Sequence, residues 1–171
     1  MDKQNISDRE LLEKFTAQFG GLEVKGVWDF EVTRANGSVE HNRVSNTLTS
    51  EGLNELAKLG IGNAGSAFLY LAIGTQTAAS SLGSTQGGLG EVDRKLASTN
   101  TSSVEHMILI STWAGATDSV TSLDLRTAGA FNHASSGSGQ SLNFVNSVAT
   151  ILADSDFLKV EMSVRVGSHN L

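Results

Sequence analysis

The chain contains no cysteine and no proline. Without cysteine there is no disulfide framework, no thiolate zinc cluster and no thiol nucleophile. Without proline no loop is stiffened by a fixed φ, so loop rigidity has to come from other contacts. Long apolar runs are missing too: none approaches the ~20 residues that a membrane span needs. Positive charge is scarce. Twelve Lys and Arg stand against eighteen Asp and Glu, a formal net charge of −6. That argues against a nucleic-acid binder working by phosphate neutralisation, and suits a soluble surface that avoids other anions. The opening MDKQNISDRE is polar and does not read as a secretory leader. The sequons at Asn5, Asn36 and Asn100 therefore read as ordinary surface asparagines.

What is present is turn-rich and β-prone. The 171 residues, eighteen of them glycine, suggest one domain. A chain of that length buries roughly 70% of its unfolded surface, enough to fold without a metal or a disulfide. Its most apolar run is Phe68 to Thr75, FLYLAIGT. Bounded by Gly65-Ser66 and Gly74, it predicts a strand buried on both faces. The stretch after it, QTAASSLGSTQGGLGEVDRK, reads as a polar, Gly-rich crossing closed by Glu91 and Arg94 at helical i, i+3 spacing, a local salt bridge or a subunit contact.

Taken in order, Ser7-Asp8-Arg9-Glu10 forms a capping box. Leu11, Leu12, Phe15 and Phe19 follow on one helical face, and Gly20-Gly21 stops the helix. Residues 1–22 are thus expected to be a helical arm whose Leu/Phe stripe either packs on its own domain or docks on a neighbouring subunit. Residues 23–171 are expected to be the β domain. From Val24 to Ala35, Trp28, Phe30 and Val32 alternate with Asp29, Glu31 and Thr33. Asn36-Gly37 predicts a type I′ hairpin turn. The return strand over Ser38 to Thr47 has Val39 and Val44 as its apolar members. Thr49 or Ser50 caps a short helix with Leu53, Leu56, Ala57 and Leu59 on its apolar face, ended by Gly60 and Gly62. Val104 to Trp113 predicts a central strand, Val120 to Phe131 a weaker one, His133 to Gln140 a flexible loop, and Leu142 to Leu152 another strand. Phe157 to Val166 alternates most cleanly, with Leu158, Val160, Met162, Val164 and Val166 inward. Seven or so strands, two short helices and no βαβ rhythm predict an all-β antiparallel sandwich, and the long loops between strands favour Greek-key or jelly-roll crossings over a simple meander.

No catalytic constellation appears. His41, His106, His133 and His169 lack ligand spacing. Asp154 and Asp156 form a D-x-D pair, but Ca²⁺ would need several more oxygens, with Asp118 and Asp124 as distant donors; a solvated turn is the plainer reading. Gly87-Gly88-Leu89-Gly90 and Gly137-Ser138-Gly139 lack the P-loop lysine. No G-x-S-x-G elbow exists, and nothing selects a glycosidase-type carboxylate pair. The expectation is a protein that is not an enzyme and uses no cofactor.

One pattern goes further. NTLTSEGLNELAKL (Asn46 to Leu59) precedes FLYLAIGT, then Leu82, Leu89, Glu91 and Arg94 in an L…L-x-E-x-x-R spacing. LRTAGAFNHASSGSGQSL (Leu125 to Leu142) and a final LKVEMSVRV follow. This order resembles small virion proteins of tailed bacteriophages and prophages, over roughly Val44 to Val166. Gln76 stands where that pattern has a second glycine, and Thr127 and Ala130 where it has Glu and Leu. The resemblance implies a jelly-roll-like virion protein assembled in the bacterial cytoplasm. Its expected role is a capsid cement (decoration) protein, with the major capsid protein and copies of itself, as dimer or trimer, for partners. A tail, baseplate or fibre protein that attaches to the host surface is the alternative. In either case the arm stripe, Leu11, Leu12, Phe15 and Phe19, is the first candidate contact, and exposed strand edges are the next.

Overall fold

A computed structural model describes residues 22–46, 48–60, 65–76, 90–103, 106–118, 120 and 122–168. The expected arm, with Leu11, Leu12, Phe15 and Phe19, lies outside the described residues. Alternation builds the first strand: β1 (Leu22–Thr33) buries Trp28, Phe30 and Val32 and turns Asp29 and Glu31 outward. It pairs with β2 (Val39–Asn46). Helix α1 (Ser50–Gly60) follows, then β3 (Tyr70–Gly74), β4 (Glu91–Leu96), β5 (Ser98–Ser103), β6 (His106–Ala114), β7 (Leu123–Phe131), β8 (Ser141–Leu152) and β9 (Phe157–Ser168). The described residues thus hold nine strands where the sequence suggests about seven.

The strands form two antiparallel sheets, ordered β2-β1-β9-β6-β5 and β4-β3-β7-β8. β9 lies at the centre of the first, paired with β1 along all twelve residues and with β6 on its other side. Its clean alternation holds: Leu158, Val160, Met162 and Val164 are buried. One core joins the inner faces of both sheets. Trp28, Leu109, Trp113 and Met162 come from the first, and Leu71, Ile73, Leu125 and Val145 from the second. Burying a large side chain in such a core stabilises by roughly 1.5–3 kcal/mol.

The helix is capped as expected. The Thr49 hydroxyl accepts from the Gly52 N–H at 2.9 Å, and Ala57 is fully buried with Leu53 and Leu56 against the core. Leu48 bridges to Asn143, and the Thr49 N–H donates to the Leu142 carbonyl at 2.9 Å. This segment therefore covers one end of the β8 edge.

Several expectations need correction. Asn36-Gly37 does not make a type I′ turn: Gly37 has a φ of 82°, while Asn36 is not among the residues of positive φ. The Gly37 N–H donates to the Arg34 carbonyl instead, so a wider loop ends in a left-handed glycine, the second commonest hairpin solution. Val39, one of the two apolar members of β2, is half exposed. The "weaker" strand, β7, sits inside the second sheet between β3 and β8, and all of Thr127 to Phe131 is buried. Its small residues Ala128, Gly129 and Ala130 lower the apparent hydrophobicity while allowing close packing.

The largest miss is the stretch after FLYLAIGT. Its end is not part of a crossing but strand β4, and Ala97 alone separates β4 from β5 in the other sheet. Glu91 and Arg94 therefore stand three apart on a strand and not on a helix. The pairing steps from Ile73↔Asp93 to Gly74↔Glu91, which leaves Val92 as an extra residue. In a regular strand, residues three apart face opposite ways. The bulge at Val92 brings Glu91 back to the face that Arg94 occupies.

Candidate interaction surfaces

The strongest polar side chains hold turns against strands. Arg34, at the β1–β2 turn, donates from Nε to Glu40 Oε1 at 2.9 Å and from Nη2 to Glu40 Oε2 at 2.6 Å. Its Nη1 reaches the adjoining β8–β9 turn, donating to Asp156 Oδ2 at 2.6 Å and the Ile151 carbonyl at 2.7 Å, next to the Thr33↔Phe157 pair of β1 and β9. The Asp156 side chain is almost fully buried. It also accepts from the Ala153 N–H at 2.9 Å, closing the β8–β9 turn. That backbone N–H, with the Arg34 guanidinium, holds the Asp156 carboxyl below the usual carboxylate range. The Glu40 carboxyl is lowered by its hydrogen bonds from Arg34, and the Arg34 pKa is raised by both partners. Asp156 of the D-x-D pair is thus engaged by an arginine and a backbone amide. Among the described residues no group of three or more His, Asp or Glu is arranged to hold a metal ion.

Arg94 forms a second latch. Its Nε and Nη2 donate to Glu91 at 2.8 and 2.7 Å, a bidentate pair. Its Nη1 donates to the carbonyls of His133 and Ser138 at 2.8 and 2.9 Å. The guanidinium carbon lies 3.9 Å from the centroid of the Phe131 ring. Both charged side chains are nearly fully buried. The pair is local, as the simpler reading of its spacing held, and it ties the loop over His133 to Gln140 to β4. That loop is closed further by Asn132 Oδ1, which accepts from the Gln140 N–H at 2.8 Å.

A third bracket joins the sheets. Trp113 Nε1 donates to Asp93 Oδ2 at 2.7 Å, and Lys95 Nζ pairs with Asp118 at 2.7 Å while donating to the Thr112 carbonyl at 2.9 Å. Lys95 and the Ala114 N–H lower the Asp118 pKa. On the opposite side, Asn42 Nδ2 donates to the Val148 carbonyl at 2.7 Å.

The outer face of the five-stranded sheet carries a charge ladder. His41, Glu31 and Lys159 lie in one cross-strand row, and Arg43, Asp29 and Glu161 in the next. Asp29, Glu31, His41, Lys159 and Glu161 line a shallow depression there. Asp29 and Glu161 are direct cross-strand neighbours, an unfavourable like-charge pair. Arg43 stands across from Asp29 in the same row, and His41 Nδ1 lies 3.5 Å from Asp29. Three carboxylates on an open sheet face make a hydrated surface. The outward positions of two alternating strands held this signal, but only the β1–β9 register brings the strands together.

Among the described residues, the chemistry-bearing candidates from the sequence form no metal-holding group. His133 Nδ1 accepts from the Ser135 N–H in its own loop, and His41 lies on the charged face. His169 and Gly87 to Leu89 lie outside the described residues. Exposed large apolar side chains are scattered: Val39, Val92, Leu96, Ile151 and Phe157. Val92 and Leu96 both belong to the edge strand β4. Comparison with protein-family models, curated proteins and solved structures gives no match.

Proposed function

We propose that this chain is a non-enzymatic structural protein of a bacteriophage particle, a cement protein that binds the outside of the major capsid lattice and stabilises the head. The observation that carries the reading is where the strong polar groups are spent. Arg34, Arg94, Lys95 and Asn42 each donate to a main-chain carbonyl of another element, so each acts as an internal brace. A body braced in this way suits a part that bears load on a shell. The fold order of motifs that resembles small phage virion proteins gives the reading its direction. The return of β7 to β3, and of β9 to a place between β1 and β6, supports a jelly-roll-like view of the two sheets. Leu11, Leu12, Phe15 and Phe19 remain the proposed capsid-contacting stripe.

The mechanism is mass action. A ligand that binds only the assembled shell stabilises it, by about 2.7 kcal/mol per site at a hundredfold excess over Kd. Repeated contacts on one lattice add avidity. The test is reconstitution: purified chain added to shells lacking it should raise their melting temperature and saturate. A variant without residues 1–20 should keep its own melting temperature and lose that effect. Shells that melt unchanged with bound or unbound chain overturn the reading. A tail or fibre role is the second reading, favoured by the loop over His133 to Gln140, which Arg94 presents as an ordered edge. Competition by the purified chain with phage adsorption to host cells distinguishes it.

A further inference from the structure

We propose that copies of this chain join through the outer edge of β5, by antiparallel two-fold pairing of Ser98–Thr101 with the same segment of a second copy. The inference deepens the reading above, because it names the surface through which copies assemble, and it rests on that reading only for its setting.

Among the described residues the two sheets have four strand edges, β2, β5, β4 and β8. Unpaired N–H and C=O groups along an edge recruit other strands, and proteins blunt the edges they do not use. Three of the four are blunted. β2 carries Glu40, His41 and Arg43 within eight residues. β4 carries Glu91, Asp93, Arg94 and Lys95 and is distorted by the bulge at Val92. β8 is covered by the Leu48–Asn143 bridge, by the Thr49 N–H on the Leu142 carbonyl and by the Asn42 amide on the Val148 carbonyl.

β5 differs. Its sequence, STNTSS, has no charged residue and no large side chain. Among the described residues its only strand partner is β6. The shift in pairing between Thr101 and Ser103 distorts its end, which leaves Ser98–Thr101 as the regular part. Exposed Leu96 ends β4 and is separated from the start of β5 by Ala97 alone.

The chemistry selects a second copy as occupant. In an acidic chain this is a strand that can face itself without placing like charges opposite one another. Antiparallel pairing is self-complementary about a two-fold axis, the symmetry of the commonest homo-oligomers. Ser and Thr hydroxyls pair well across strands. Joining two five-stranded sheets in this way gives one continuous ten-stranded sheet. The contact is short, well below the ~1,200 Å² of a stable interface. The dimer is therefore weak in dilute solution and strengthened where a lattice holds neighbours at high effective concentration.

The chain has no native cysteine, so introduced thiols report the edge cleanly. Thr99→Cys and Asn100→Cys should give disulfide-linked dimers under mild oxidation, with at least one of them roughly tenfold faster than a His41→Cys control on the β2 edge. In sedimentation at high concentration, the wild type should move toward dimer mass. Thr99→Lys should stay monomeric at an unchanged melting temperature. Equal cross-linking at both edges, or a dimer that Thr99→Lys leaves intact, overturns the proposal. So does a wild type that stays monomeric while Thr99→Lys loses shell binding, because the edge then pairs with another coat subunit. A chain that dimerises as described yet leaves shells unstabilised sinks the cement reading and leaves this one standing.

Discussion

Ala149 sits in β8 with a φ of 49°, in the left-handed region. There three β8 residues, Ser147 to Ala149, face Arg126 alone, because the pairing jumps from Leu125↔Thr150 to Thr127↔Asn146. A left-handed residue with a Cβ costs about 1–2 kcal/mol, and Ala149 is exposed, so little packing would be lost with its methyl. Ala149→Gly should therefore stabilise, by up to about 1 kcal/mol after the greater unfolded-state freedom of glycine is subtracted. Thermal unfolding checks this, and a lower midpoint contradicts it. Arg94 works in the opposite sense. Arg94→Ala strands the buried Glu91 carboxylate and frees the loop carbonyls of His133 and Ser138. Breaking a buried pair on one side costs about 3 kcal/mol or more. Arg94→Lys should recover only part of it, since an ammonium cannot make the bidentate fork. Chemical denaturation of both variants measures the difference.

Helix α1 gives the clearest test among the elements. Gly52 lies in its first turn, and a Cβ there would collide with the Leu142 carbonyl oxygen. Propensity alone predicts that Gly52→Ala gains about 1 kcal/mol. Contact with the β8 backbone predicts a loss of about 1–3 kcal/mol instead. A stabilised Gly52→Ala would mean that α1 does not press on β8. The helix itself, the strands β1 and β9 and their inward residues were legible because alternation and capping are local signals. β4 and β5 were not. Glu91-Val-Asp-Arg-Lys-Leu96 is charged because its side chains bracket Phe131, Trp113 and Asp118 rather than enter the core. Ser98–Ser103 has turn composition because it forms an edge. Both become strands only through the neighbours that accept their backbone hydrogen bonds. The Arg34–Asp156 pair spans 122 positions in the sequence, and the Asp29–Glu161 row depends on the strand register. No local pattern carries either one.

For the molecule as a whole, the brackets set the response to acid. Asp156, Glu40 and Asp118 all have pKa values lowered in the folded state, the first by the Ala153 N–H and Arg34, the second by Arg34, the third by Lys95 and Ala114. A carboxyl lowered in this way stabilises the fold fully above its unfolded pKa of about 4, and the contribution is lost as pH falls through the folded value. The melting temperature should hold between pH 7 and about 5, then fall steadily below about 4. Arg34→Ala should lower the neutral plateau and flatten the acid limb, because Glu40 and Asp156 no longer gain from ionising beside the guanidinium. An acid limb as steep as the wild type's would remove Arg34 from that role.

The cement proposal makes the largest claim at this scale: the sandwich is built to grip a shell. An image reconstruction of a particle that contains this chain tests it most directly. A cement protein should give density for the two-sheet body on the outer surface of the head, repeated over the lattice, with residues 1–20 against the major capsid protein. Density confined to the tail or baseplate, or a head surface bare of it, would contradict the account.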